Sequence, residues 1–218
     1  TIIAPDFFGN PVTRNDWFGH YAEWSSFIGL GPLFLAVYAI ARLRSWKVIF
    51  FSVLGFGSII LAINSPLSLL LVSIKLPVLS TSALSRIIVL FSFSFAVLAG
   101  LGFDTFQKDL EAKKAKKTII EVLILMLAFI IGVWALILIG KVYPNEWLIV
   151  AKRNFILPSL LFFAGAFMIL ISIRQKFIFS LIPYFLLLIV SFDSLRFTQK
   201  WMPFDPRELV YPETSVIQ

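Results

Sequence analysis

The chain has 218 residues, of which 59% are hydrophobic and only 14% are charged. Soluble domains are about half apolar and a quarter charged, so this composition excludes an ordinary water-soluble domain and predicts an outer face in contact with lipid. The net charge of +7 comes without a nucleic-acid-binding motif, and the lack of cysteine together with a single histidine excludes disulfides, thiolate metal sites and multi-histidine metal sites.

Apolar stretches that approach the length of a bilayer recur along the whole chain. There are six, near Trp24–Ala41, Lys47–Ile63, Ala83–Phe103, Thr118–Gly140, Phe155–Ile173 and Phe177–Phe192. About 20 apolar residues in a helix cross the hydrocarbon layer. The pattern therefore predicts an all-α fold, a polytopic transmembrane helix bundle of about six spans.

The loops between these stretches differ in charge. Three short loops hold ten of the nineteen basic residues: Arg42, Arg44, Lys47, Lys108, Lys113, Lys114, Lys116, Lys117, Arg174 and Lys176. Because short cytoplasmic loops are enriched in Lys and Arg, these loops are predicted to face the cytoplasm. Both ends of the chain are then non-cytoplasmic, in a multi-pass protein of the cell membrane.

The segment Pro66–Leu79 is apolar but too short to span, and it has proline at 66 and 77. If it crossed the membrane, every later loop would change side and the lysine run at 108–117 would face outwards. We therefore predict an interfacial or re-entrant helix on the outer face.

These assignments divide the chain into three parts. Residues 1–24 form an outer loop, residues 25–193 the bundle, and residues 194–218 an outer tail. Because the chain starts at Thr1 and stops at Gln218 without a terminating element, we expect a piece of a larger protein, with an extracytoplasmic domain after the tail.

Ionisable residues gather on the predicted outer face. Arg86 lies near the start of the third span, where a charged side chain requires a partner or must reach the headgroups. As a guanidinium it suits a phosphate, whereas snorkelling explains it equally well. Asp6, His20 and Glu23 lie in the outer loop, where they have either a solvated or a substrate-binding role. Asp104 is predicted to pair with a nearby lysine.

At these residues the sequence resembles the YfhO family of membrane proteins, which is similar to the GT-C glycosyltransferases. Residues 4–9, Ala-Pro-Asp-Phe-Phe-Gly, are similar to the family's Pro-x-Phe-Phe-Gly loop. Residues 21–33 resemble its Glu-x-x-x-Tyr-(Ile/Val)-Gly-x-x-Pro-Leu segment, with Phe27 in place of the tyrosine. Leu-Pro at 76–77, Ser-Arg at 85–86, Leu-Ala-Gly-Leu-Gly at 98–102 and Tyr-Pro-Glu-Thr at 211–214 complete the match.

The resemblance implies transfer of a sugar from a polyprenyl-phosphate donor to a cell-envelope glycan or glycolipid acceptor. It implies that Arg86 binds the lipid phosphate and that Asp6, His20 and Glu23 form part of the acceptor groove. The catalytic carboxylate of such enzymes usually lies in an earlier outer loop, so this chain alone is expected to be inactive and its catalytic residue is unknown. No metal ligand cluster is present, although the chemistry leaves a divalent metal open.

Two other functions fit the same composition. A lipid or polysaccharide transporter or flippase would need charges or broken helices near the middle of the membrane. The ionisable residues of this sequence are predicted to lie instead near the two boundaries of the membrane. A non-catalytic membrane anchor for an outer domain would need no site at all. In every case the expected partners are the lipid bilayer and its lipid-linked substrates, not nucleic acid.

Overall fold

The computed structural model of the protein describes residues 1–11, 26–75, 84–114, 116–139, 144–173, 175 and 180–201. Over these ranges the chain is all-helical, as predicted. The α-helices are α1 (Leu30–Arg42), α2 (Trp46–Ala62), α3 (Pro66–Ser73), α4 (Ile88–Glu111), α5 (Lys116–Ile139), α6 (Asn145–Ser172) and α7 (Ile182–Trp201), and a 3-10 turn, Leu84–Ile87, leads into α4.

Three helical segments are long and apolar enough to cross a membrane: Leu84–Glu111, Lys116–Ile139 and Asn145–Ser172. The bent pair α2 and α3 adds a fourth if it counts as one span. These helices fit a multi-pass membrane protein. The further two spans of the sequence prediction fall on α1 and on α7, and the count of about six stays a prediction.

The shortest of the helices on which a predicted span falls, α1, lies at the centre of the bundle. It has 13 residues, and α4, α5, α6 and α7 all pack against it. Six of its residues are buried: Leu30, Phe34, Leu35, Ala36, Tyr38 and Ala39. A helix that is apolar all round is one that other helices surround. Its length of about 20 Å is less than the roughly 30 Å of hydrocarbon.

The contact between α1 and α4 is close enough to require glycine at one position. A Cβ atom added to Gly102 would lie 1.9 Å from the carbonyl oxygen of Leu35. Gly55 has a similar role between α2 and α4, where an added Cβ would lie 2.9 Å from the ring of Phe95. Small residues allow membrane helices to approach in this way. In contrast, such a Cβ at Gly57 or Gly100 would have no described atom of a neighbouring element within 4 Å.

Helix α3 turns sharply away from α2. The axes of the two helices differ by 74°. Ser65 caps α3: its hydroxyl accepts from the Ser68 N–H, and the Ser68 hydroxyl accepts from the Ser65 N–H. Pro66 fits the first helical position because its missing N–H would have no partner there. The helix is followed by Lys75 at φ +53°. A short apolar helix exists here as predicted, but it ends at Ser73 and not at Leu79, and residues 76–79 lie outside the described residues. Its position in the membrane stays a prediction.

The outer surface of the bundle is apolar. Large exposed hydrophobic residues cover α2 and α5 in particular, among them Ile49, Val53, Phe56, Leu125, Phe129, Leu136 and Leu138. Water would strongly disfavour such a surface, whereas lipid solvates it.

Candidate functional site

Two chain segments without regular structure, residues 1–11 and 26–29, lie together at one end of the bundle. The N–H groups of Ile28 and Gly29 donate to the carbonyl oxygen of Ile2 at 2.9 and 3.1 Å. The Ser26 and Ser92 hydroxyls are 2.9 Å apart and connect these segments to the first part of α4. We call this the Gly29 end.

Asp6 belongs to the Gly29 end and is buried there. It has an exposed fraction of 4%, and its Oδ1 accepts from the side-chain amide of Asn10 at 3.0 Å. Its backbone carbonyl accepts from Asn154 of α6 at 2.7 Å. Phe7 packs edge-on against Phe155 beside it. The carboxylate predicted in a solvated outer loop is therefore held inside a folded segment that rests on α6.

Arg86 lies at the same end but not in the bundle interior. It belongs to the 3-10 turn that precedes α4 and is exposed. The sequence analysis places it near the start of the third span, and the α-helix of that span begins two residues later, at Ile88. Its exposed position lets it reach lipid headgroups or a phosphate. The other two predicted site residues, His20 and Glu23, lie outside the described residues.

A buried carboxylate lies at residue 193, where the sequence analysis ends the bundle and expects the outer tail to begin. Asp193 is on α7, which continues to Trp201, and its exposed fraction is 5%. Arg196, one turn further on, has its Nη2 atom 3.7 Å from Asp193 Oδ1. This separation allows an ion pair but is too long for a hydrogen bond. Within the described part of the chain, neither Asp193 Oδ1 nor Arg196 Nε has a hydrogen-bond partner.

Gly29 brings Asp193 to the beginning of α1. A Cβ atom on Gly29 would lie 3.2 Å from Asp193 Oδ2, and the residue has φ +83°. A side chain here would be strained by its backbone conformation and crowded by the carboxylate. The first N–H groups of a helix have no carbonyl one turn back and carry partial positive charge. The start of α1 and the guanidinium of Arg196 together compensate the negative charge of Asp193.

Asp193 also forms the polar end of an apolar cavity, which we call the Asp193 cavity. It is bounded by Leu30, Gly31, Phe34, Leu123, Leu161, Phe162, Gly165, Ala166, Ile169, Leu186, Ile189 and Asp193. The space between these side chains is about 420 Å³ including the part open to the surroundings, and the centre of a water molecule fits in about 30 Å³ of it. The cavity thus lies between α1, α5, α6 and α7, with a single ionisable side chain.

A second polar cluster lies at the opposite end of α1. Asp109 of α4 accepts from the Tyr38 hydroxyl at 2.7 Å and from Arg42 Nε and Nη2 at 2.8 and 3.2 Å. The Arg42 guanidinium therefore binds the carboxylate in a bidentate manner, the strong geometry for this pair. The ends of α1 and α4, which lead into two of the predicted basic loops, meet at this Arg42 end, since Arg42 of α1 binds Asp109 of α4. At the end of α4 the Lys114 N–H donates to the Asp109 carbonyl at 2.8 Å.

The exposed residues near this cluster behave as predicted. Asp104 pairs with Lys108 at 2.7 Å on the surface of α4, which confirms the expectation that a nearby lysine would meet it. Both side chains are largely exposed, so this pair contributes little to stability. Across the described ranges, no group of three or more Asp, Glu and His side chains is placed to hold a metal ion.

The chain was compared with protein families, with curated proteins and with solved structures. No family model, curated protein or solved structure matches it.

The burial of Asp193 could have been predicted from the spacing of the apolar residues before it, although an aspartate is usually exposed. Leu186, Ile189 and Asp193 are spaced by three and four residues, which places them on one face of a helix. The two apolar residues predict a buried face, and the aspartate continues it. No comparable signal links Tyr38 and Arg42 to Asp109, because their separation of 71 and 67 residues in sequence is bridged only by the packing of α1 on α4.

Proposed function

We propose that the chain is the membrane-embedded part of a glycosyltransferase-like cell-envelope protein that handles a polyprenyl-phosphate sugar at the Gly29 end. The resemblance to the YfhO and GT-C proteins supports this proposal. The observation that carries it is the location of Asp6 and Arg86. These residues are distant in the sequence, yet both lie at the end where α1 and α4 begin.

The chemistry of the proposed step assigns different tasks to the two kinds of residue. A guanidinium binds a phosphate oxygen pair in a bidentate manner and stays charged, so Arg86 stabilises the phosphate that leaves the anomeric carbon. A carboxylate deprotonates or orients the acceptor hydroxyl that attacks this carbon. Asp6 is buried and bound by Asn10, so it supports the acceptor side of the site. In this proposal the catalytic base lies outside this chain.

The proposal includes a direction in the membrane. Arg42, Asp109 and Lys114 meet at one end of the bundle, and Asp6 lies at the other. Because basic loops face the cytoplasm, the Gly29 end is non-cytoplasmic in the proposed topology of six spans. A lipid-linked sugar presented on the outer leaflet would then meet Arg86.

The test is a donor-binding and turnover assay on the intact natural protein in nanodiscs. Arg86→Lys keeps the charge but loses the bidentate fork, so binding of polyprenyl phosphate should weaken, and Arg86→Ala should weaken it further. Arg44→Ala is the matched control, since Arg44 is an exposed cation beyond the Arg42 end of α1. Unchanged turnover of polyprenyl-phosphate hexoses by Arg86→Ala would remove the phosphate role. Failure of the wild-type protein to bind polyprenyl phosphate would reject the function.

Lipid transport is the second candidate, and one observation favours it. A carrier requires an ionisable group among its helices, and the buried Asp193 is such a group. Movement of a fluorescent lipid between the leaflets of proteoliposomes would distinguish it from glycosyl transfer. Lipid movement that stops in Asp193→Asn but continues in Arg86→Ala would favour transport.

A further inference from the structure

We propose that the Asp193 cavity binds a neutral single-chain lipid through a hydroxyl group at the end of its chain. The hydroxyl lies between Asp193 and Arg196, and the chain occupies the apolar space between α1, α6 and α7. This inference is independent of the proposed function, because it concerns a different set of residues and predicts binding rather than turnover.

Asp193 is a buried carboxylate with one oxygen, Oδ1, that accepts no hydrogen bond from the described residues. The residue has an exposed fraction of 5% and its side chain one of 8%. A buried acceptor without a donor is destabilising, and more so when it is charged. A ligand that brings a donor to Oδ1 removes this penalty, which supplies free energy for binding.

The neighbouring guanidinium selects the chemistry of the ligand. Arg196 Nε is a buried donor that has no hydrogen-bond partner among the described residues, and its Nη2 is 3.7 Å from Asp193 Oδ1. A hydroxyl group donates one hydrogen bond and accepts another, so a single hydroxyl satisfies both atoms. A phosphate or carboxylate would be repelled by Asp193, and an ammonium group by Arg196. The pair therefore favours a neutral alcohol.

The rest of the cavity selects the body of the ligand. Every other residue that bounds it is apolar or glycine. The small residues Gly165 and Ala166 leave space on the α6 side of the cavity. A Cβ added to Gly165 would lie 3.9 Å from Ile189, an ordinary van der Waals contact. Sugar rings would lose their hydrogen bonds to water against such a lining. A narrow hydrocarbon chain gains contacts there, and it reaches the site from the surrounding bilayer.

A water molecule is the competing occupant. The centre of a water molecule fits in about 30 Å³ of the cavity, which is enough for one or two waters beside Asp193. Water alone would satisfy the polar atoms but would leave the apolar part empty. The two possible occupants can therefore be distinguished by competition: an excess of a long-chain alcohol displaces a bound lipid probe from a lipid site, whereas a cavity that holds only water binds no such probe.

The experiment is photo-crosslinking of the intact protein in nanodiscs with a C16 alcohol that carries a diazirine in mid-chain. The matched probe is its methyl ether, which lacks the donor. We expect the alcohol to label α6 and α7, excess unlabelled alcohol to suppress the labelling, and the ether to label roughly tenfold less, since one hydrogen bond to a charged group is lost. Equal labelling by the two probes, or labelling that excess alcohol does not suppress, would overturn the proposal in favour of water.

Two variants and one control locate the site. Ala166→Phe fills the wall of the cavity and should abolish labelling by the alcohol. Gly132→Phe adds the same ring on α5, where no described atom lies within 4 Å of an added Cβ, and should leave the labelling unchanged. Asp193→Asn should reduce the preference for alcohol over ether. Retained labelling in folded Ala166→Phe, judged by its thermal unfolding, would contradict the proposal. If that variant does not fold, the comparison of the two probes in the wild-type protein decides.

Discussion

Replacement of Gly102 by alanine tests the central helix contact most directly. The added Cβ would lie 1.9 Å from the carbonyl oxygen of Leu35, 2.7 Å from its carbonyl carbon and 3.3 Å from its Cα. Real Cβ atoms keep about 3 Å from such atoms, so α1 and α4 must separate by at least about 1 Å. No side-chain rotation relieves the clash, because its partner is backbone.

The expected cost follows from the character of this contact. Overpacking in a core typically costs 1–3 kcal/mol, and here the separation also strains the 2.7 Å hydrogen bond between Tyr38 and Asp109 across the same interface. We therefore expect Gly102→Ala to lower the free energy of unfolding by about 3 kcal/mol or more. Gly100→Ala is the control two residues away, where no described atom lies within 4 Å of the new Cβ.

Reversible unfolding in mixed micelles, with SDS as denaturant, measures both variants. Gly100→Ala should be as stable as the wild-type protein or slightly more stable, since alanine is the better helix former. A Gly102→Ala variant with the same unfolding midpoint as Gly100→Ala would refute the close approach of α1 to α4.

Three further predictions concern other parts of the bundle. Tyr38→Phe removes one hydrogen bond to the buried Asp109 carboxylate and should lower the free energy of unfolding by about 2 kcal/mol; an unchanged midpoint would show that the hydroxyl contributes nothing. Because the chain has no cysteine, single-cysteine variants at Lys117 and Glu146 can report topology, and an impermeant reagent applied outside should label only the latter; labelling at 117 would invert the proposed orientation. Spin labels at Leu67 and Ile74 should differ in membrane depth by only about 3 Å, against about 10 Å for labels at Val53 and Ile60 on α2, given the 74° bend; equal depth differences for the two pairs would show that α3 continues the span.

The approximate positions of most helices were predictable from hydropathy. The errors lie at helix ends that are determined by tertiary contacts. The stretch near Lys47–Ile63 coincides with α2 within one residue at each end, since lipid-facing helices are apolar throughout. The first span was expected from Trp24, but α1 begins only at Leu30. Gly29, just before α1, has a positive φ, donates its N–H to the Ile2 carbonyl and lies against the Asp193 carboxylate. Those partners are remote in the sequence.

Packing roles of small residues were the least predictable feature. Gly100 and Gly102 lie two residues apart on α4, and hydropathy does not distinguish them. Only the second meets α1, since a helix turns by about 200° over two residues and presents opposite faces. The same limit applies to the candidate site. Arg86 was correctly seen as close to one end of a span, whereas the burial of Asp6 depends on Asn10 and Asn154.

The short length of α1 has a consequence for how the protein enters the membrane during synthesis. A 13-residue apolar helix is too short to partition into a bilayer by itself, yet it becomes the core against which five later helices pack. Its main partner residue, Gly102, is made 67 residues after Leu35 (102 − 35), or roughly 3–13 s later at ribosomal speeds. During that interval we expect α1 to need the translocation machinery, or a chaperone beside it, to shield its apolar surface until α4 is synthesised.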